Sequence, residues 1–399
     1  MNRSIFRTAF LLVAGIAILS SCEPKETVKT FKLTIGYTSN DVPAANIEDV
    51  TIVLNSDSSS DTLHFSKLEN QTLEKVQGNY VILVNGKVAG EATAQVQGTA
   101  TLALYEDKEV NVPLNLFYSS PLLFKTIYCT GGAQYYVLDS YIEIVNNSDE
   151  VQYLDGLILA APLANLKAQS VWQDTYPDKY NCGQGSVLAF PGNGKDYPIQ
   201  PGEFIIMADQ AMNHKLAYGS DDSKKEEYAK SPDLSGAHFE KYYGNGDVDN
   251  EKVPNMEVVY SNNKSMKMWG FGVAGRAFLL AKLPAGMTPA QFAADENNFA
   301  TQPGSSSTTL NMLIPNQYVL DAVDVYANGV AASDHYPFFL PKDDASGVEG
   351  SGSYAGKCIR RKVEKIGDRV YYQDTNNSAN DFKTNQDNTA GFVPTTADK

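Results

Sequence analysis

The sequence holds only four histidines, His64, His214, His238 and His335, whose imidazoles titrate nearest neutral pH. His214 and His238 share a stretch with Asp209, Asp233 and Glu240. Imidazole and carboxylate together suit a divalent transition metal. No HExxH or comparable spacing joins them, so the metal reading of His214 and His238 rests on residue type alone. A second candidate is Asp247-Val248-Asp249-Asn250-Glu251, whose alternating acids could fold onto one hard cation, calcium, with Asp247 and Asp249 as leading ligands. An EF-hand loop needs Gly at its sixth position, where Lys252 stands, so a solvated turn is the competing reading. His64 lies in an alternating stretch and is expected to point outward or pack.

Nucleophilic catalysis finds no motif. There is no GxSxG elbow, and Gly192-Asn193-Gly194-Lys195 lacks the upstream Gly and following Ser or Thr of a phosphate loop. Two carboxylates at the right separation could still cleave a glycosidic bond. A carboxylate- or metal-dependent hydrolase therefore stands as the alternative to a non-enzymatic protein, and no cofactor beyond calcium is expected. Among the aromatics, Trp172 in VWQDTYP and Trp269 in KMWGFG lie in loop-like contexts. Flat rings with a polar handle suit ligand faces, so these two are expected to be exposed and are the ligand-contact candidates.

The frame that must position these residues reads as β structure. Phe31, Leu33, Ile35 and Tyr37 alternate with Lys32, Thr34 and Gly36, the period of a half-buried strand. Further strands are expected at 49–55, 61–66, 79–84, 91–105 and 108–117, with Asn85-Gly86 as a hairpin turn. Together they describe a small β-sandwich of immunoglobulin or transthyretin type over residues 22–118. A new strand at 122–128 opens a larger β domain, 119–399. Thr288 before Pro289 marks a helix start. Residues 219–233 and 302–309 read as solvated loops, and the tail from Asn385 as frayed.

The first 21 residues carry Arg3 and Arg7 before an apolar run, Ala9 to Leu19, too short to span a bilayer. Leu19-Ser20-Ser21-Cys22 resembles a bacterial lipobox, which implies cleavage before Cys22 and acylation of its thiol. Two or more chains anchor stably, so the membrane is the first expected partner, and the outer membrane the expected location, in either leaflet. Loss of residues 1–21 takes the formal charge from −15 to −17. That balance argues against nucleic acid. Cys129, Cys182 and Cys358 remain, read as buried small residues or as one disulfide whose pairing stays open.

Four segments in order resemble a lamin-tail-type domain: YIEIVNNSDEVQYLDGLIL (141–159), PGEFIIMADQA (201–211), YVLDAVDVY (318–326) and GKCIRRKVEKIGDRVYYQDTNNSANDF (356–382). About 100 residues, 211–316, separate the second and third, so long insertions are expected there. With the lipobox, the small sandwich and loops reading VWQDTYP, DLSGAHFEKY and DVDNEKVPN, the chain resembles a Bacteroidetes lipoprotein family of unknown function. The resemblance implies an all-β architecture and carries no assigned activity. Long loops of 165–310 on a β scaffold point instead to a binding or accessory role, and the expected partner is a TonB-dependent uptake receptor or another envelope protein. A purely structural envelope protein is the further alternative.

Overall fold

The computed structural model describes residues 29–398 other than 57–58, 91–93, 165, 184, 245, 264, 266 and 367–368; Cys22 and the signal-like segment lie outside them. The chain is all-β, with helix confined to short pieces, and divides into two compact units. Unit 1 takes the described residues up to Gly86 with Gly98–Asn115; unit 2 takes Lys87–Gln97 and Leu116–Lys399. Among the described residues no helix is long and apolar enough to cross a membrane.

The N-terminal strands are β1 (Thr30–Ser39), β2 (Ile47–Ser56), β3 (Ser60–Lys67), β4 (Gln71–Val76), β5 (Gly78–Val88), β6 (Ala94–Leu104) and β7 (Lys108–Tyr118), most of whose residues fall in unit 1 and whose order across the sheet is β3-β2-β5-β6-β7-β1-β4. Alternation works as the sequence predicts. Leu33 and Ile35, Ile52 and Leu54, Ile82 and Val84, and Val112 and Leu114 are all buried, while the residues between them are partly or fully exposed. Gly98 serves a close approach, since a Cβ there would meet the Pro113 carbonyl at 2.3 Å. Two expectations fail. Asn85-Gly86 makes no hairpin, because β5 runs through both residues and its turn follows at Ala89-Gly90. The strand β4, too polar to show in the sequence, pairs with β1 from Thr30↔Val76 to Ile35↔Gln71.

Unit 2 begins with β8 (Leu122–Tyr128), β9 (Tyr141–Asn146), β10 (Gln152–Tyr153), β11 (Ile158–Ala160), α1 (Val171–Thr175), β12 (Lys179–Asn181), β13 (Ser186–Ala189), β14 (Pro198–Ile199) and β15 (Phe204–Ala208). It continues with α2 (Lys225–Tyr228), β16 (Phe239–Glu240), β17 (Glu257–Ser261), β18 (Gly275–Ala281), α3 (Pro289–Ala294), β19 (Phe299–Thr301) and β20 (Leu310–Pro315). It closes with β21 (Val319–Tyr326), β22 (Val348–Glu349), β23 (Lys357–Arg361), β24 (Val363–Ile366), β25 (Arg369–Tyr372), α4 (Ser378–Asp381) and β26 (Phe382–Asp387). Thr288 caps α3 through a reciprocal capping box with Gln291, and Pro289 occupies the first turn, as expected.

Two six-stranded sheets form a sandwich, ordered β16-β15-β9-β8-β23-β26 and β17-β13-β11-β18-β21-β22. Phe124, Ile142, Met207 and Ile359 from the first sheet share one core with Leu159, Leu188, Phe278 and Val323 from the second. The four lamin-tail-like segments fall on this frame, supplying β9 to β11, β15, β21 and β23 to β26. The stretch 211–316, expected to be loops, instead covers the outer faces. Leu234, Ala237 and Val253 pack with Tyr141, Ile206 and Ala208 on one sheet, while Phe292, Met312 and Ile314 pack with Ile158, Ala277 and Leu279 on the other. Both faces are thus dry, which is why β8, β9 and β18 are buried at every position. Residues 219–230 and 304–309 do lie at the surface. The tail is not frayed. Asp398 bonds the backbone of Val363 in both directions, and Phe392 lies under the Arg360 guanidinium at 4.2 Å.

Candidate functional site

The metal candidates do not converge. His214 is fully buried, with Nδ1 2.7 Å from Tyr136 Oη and Nε2 2.9 Å from the Gln210 carbonyl. A carbonyl only accepts, so Nε2 carries the proton and Nδ1 accepts from the phenol. Burial pushes this imidazole down to about 4. His238 accepts the Ile206 amide through Nδ1, and burial lowers its pKa as well. Asp247 is a partner of the buried Lys241, at 2.7 Å, and accepts from Gln210 Nε2 at 2.9 Å. Asp249 accepts from Asn255 Nδ2. Among the described residues no group of three or more His, Cys, Asp or Glu is placed to hold a metal.

Both tryptophans depart from expectation. Trp269 is 4% exposed, lies edge-on to Phe278 and donates from Nε1 to the Ser186 carbonyl. Trp172 is 8% exposed on α1. It is not a surface ring, although it lines a small cavity of about 90 Å³ with Tyr180 and Phe338. The sequence contexts look like loops, but Trp269 joins the core between the sheets and Trp172 packs against Tyr176. Cys129, Cys182 and Cys358 are buried free thiols, each with its pKa raised by burial.

Strand β21 carries two acids in an otherwise apolar run, Val319-Leu320-Asp321-Ala322-Val323-Asp324-Val325-Tyr326. Asp321 shares the face of Val323 and Val325, toward the core between the sheets; Asp324 shares the face of Ala322, toward the outer layer. Asp321 accepts from Arg361 Nη2 at 2.7 Å and from the Phe124 amide at 2.6 Å. The same guanidinium meets Asp374 at 3.4 Å and Asp381 at 3.5 Å. Burial raises Asp321 and Asp381 above the ordinary carboxylate range, Arg361 lowers them, and Asp374 raises them again. Asp321 and Asp381 therefore favour keeping a proton.

Asp324 has a different partner. Its Oδ2 accepts from His335 Nε2 at 2.8 Å and from the Phe338 amide at 2.8 Å. Its own amide donates to the buried Asp344, which Ser378 holds by amide and hydroxyl. Burial raises the pKa of Asp324, and the His335 bond opposes that. With Nε2 donating, His335 Nδ1 has no partner among the described residues, and the ring stacks on Tyr326 at 4.9 Å and 28°. Gly347 permits this packing: a Cβ there would come within 3.0 Å of the Asp324 carbonyl and 3.2 Å of His335 Nε2.

His335 and Tyr326 line a cavity of about 230 Å³. It is made where three neighbouring strands reach one edge of the sheet. Strand β11 pairs antiparallel with β18 and β18 with β21, so the end of β11, the start of β18 and the end of β21 coincide. The segments leaving that edge bring Leu166 and Lys167, Ala274, and Gly329 to His335 together. They are held in place. Tyr336 donates its amide to the Leu166 carbonyl and its hydroxyl to Gln169, while Glu349 accepts from Asn328 and the Gly329 amide. No motif in the sequence marks Lys167, Tyr326, Asp334 or His335. The legible signal was Asp324, a charge in a strand whose other residues are mostly core, since such a charge requires a buried partner.

These features define a class: a two-unit, all-β protein whose larger unit is a layered sandwich with a cavity at one end of its strands. Residues 200–389 match a family described as a protein of unknown function, DUF4876. A crystal structure of a DUF4876 family protein from Bacteroides thetaiotaomicron is similar at 25% identity over 89% of this chain and 95% of that one, with a TM-score of 0.57. A DUF3823 family protein from Parabacteroides merdae matches at 12% identity over 35% of this chain and 69% of that one, TM-score 0.18. The fimbrial anchor protein Mfa2 from Porphyromonas gingivalis matches at 10% over 44% and 66%, TM-score 0.19. The last two scores are too low for a shared overall fold. No curated protein matches the chain. The match over residues 200–389 and the similar Bacteroides structure agree with the resemblance to a Bacteroidetes family of unknown function read in the sequence.

Proposed function

We propose that this protein is a lipid-anchored binding protein of the outer membrane, held by acyl chains on Cys22, which captures a small ligand at the His335 cavity. The observation that carries the binding role is that cavity: about 230 Å³, on a rigid sheet edge, with an imidazole oriented from behind by a buried carboxylate and one ring nitrogen unpaired among the described residues. Orientation by a buried acid lowers the cost of ordering a recognition group on binding. Segments leaving a braced sheet are where recognition is usually built.

The anchor rests on Leu19-Ser20-Ser21-Cys22. A binder fixed to the outer membrane is suited to serve an uptake receptor of the TonB-dependent type, and that is the partner we assign. The tagged, lipidated protein, purified from its own membranes in detergent, is expected to bring such a receptor down in near-equal amount. Absence of any envelope partner would overturn the accessory role. Cys22→Ala is expected to leave the membrane fraction or to accumulate unprocessed; normal fractionation of mature Cys22→Ala protein would overturn the anchor.

A further inference from the structure

Two opposite charges stand at the same cavity. Lys167 and Asp334 both line it, and among the described residues neither forms an ion pair, with the other or with any third group. They enter from different directions. Lys167 lies in the segment after β11, and Asp334 in the segment after β21, which the Tyr336 to Leu166 backbone bond ties together. Opposite charges brought to one hollow without pairing leave a space that a dipolar ligand can bridge, one end on each. A simple anion would face Asp334, and a simple cation Lys167.

The remaining lining agrees with a dipolar guest. His335 and Tyr326 bring polar ring groups to the cavity, and Leu166, Ala274 and Val330 supply a small apolar wall. The cavity lies below the range typical of drug-sized ligands, which sets an upper limit near a short peptide.

Resting on the reading of this cavity as the ligand site, we propose that it binds a small zwitterion, an amino acid or dipeptide with an apolar side chain. Lys167 takes the carboxylate, Asp334 the ammonium, and His335 the polar group between.

The test is titration calorimetry on the mature lipidated chain in detergent, with the dipeptide Ala-Leu, its N-acetylated form and its C-terminal amide as probes. The free dipeptide is expected to bind, and each cap to weaken it about tenfold, the scale of one lost charged hydrogen bond. Lys167→Ala should then bind the free and amidated forms alike, and Asp334→Ala the free and acetylated forms alike. Equal binding of free and capped probes, or no binding of any, overturns the zwitterion. The cavity as ligand site fails separately: mass spectrometry of protein drawn from its own membranes would then find no small molecule that His335→Gln loses.

Discussion

Asp321 and Asp324 stand three positions apart on one strand, both buried, and they live in opposite chemical worlds. Asp321 faces the interior of the sandwich, where Arg361 and two further aspartates close around it, and the guanidinium is also bonded to the carbonyls of Phe124 and Gln373. Asp324 faces outward to a histidine whose second nitrogen is unpaired among the described residues and whose ring lines a cavity. The first cluster spends its charge on holding two sheets and the C-terminal segment together. The second spends only half of it, and what is left over points to recognition. Burial alone does not separate structural from functional charge; the presence of an unspent group at a cavity does.

The comparison breaks most visibly at Arg361. Arg361→Leu leaves three buried carboxylates without a cation and is expected to cost about 3–5 kcal/mol in denaturant unfolding. A loss under about 1 kcal/mol would mean that the closed cluster is not structural. Asp321→Asn is gentler, since an amide oxygen can still accept from Phe124 and Arg361, and about 1–3 kcal/mol is expected from the same measurement.

Acidity sharpens the contrast. Asp321 and Asp381 are raised above their ordinary value, and Asp209, desolvated beside Lys241, is pushed up to about 7. Raised carboxylates bind protons more tightly in the folded chain, so their contribution is fully present below about pH 4 and is lost as pH climbs through the raised values. His214, held at about 4, has the opposite sign and loses stability as pH falls below about 6.5. The acids outnumber it, so thermal stability should rise on going from pH 8 to 5.5, and less so in Asp321→Asn. An identical pH response in that variant would show that Asp321 keeps no proton.

The smallest effect on stability is expected at the open pair. His335→Gln retains a donor for Asp324 and loses the second nitrogen, so unfolding should shift by less than about 1.5 kcal/mol while dipeptide affinity falls about tenfold. A large stability loss without an affinity change would make His335 a second Arg361.

How much of this was legible follows from what each residue sees. The Phe31 to Tyr37 alternation and the Thr288 box depend on neighbours in sequence, and both are present in the structure. Trp172 and Trp269 look loop-bound because the layers that bury them come from distant segments. Asn85-Gly86 has the chemistry of a hairpin, yet its place inside the seven-stranded sheet overrides it. His335 meets Asp324 only because the 327–334 segment folds back over the strand end, and Lys167 joins them only because β11 and β21 flank β18. No spacing rule encodes either event.

The central claim, that the open pair is where ligand binds, is most directly tested by nitrogen-15 spectra of the four imidazoles in the mature lipidated chain as Ala-Leu is added. The account requires the His335 signals to move with saturation, while His64, His214 and His238 stay in place. Saturable binding with an unmoved His335, or equal movement of all four, would contradict it.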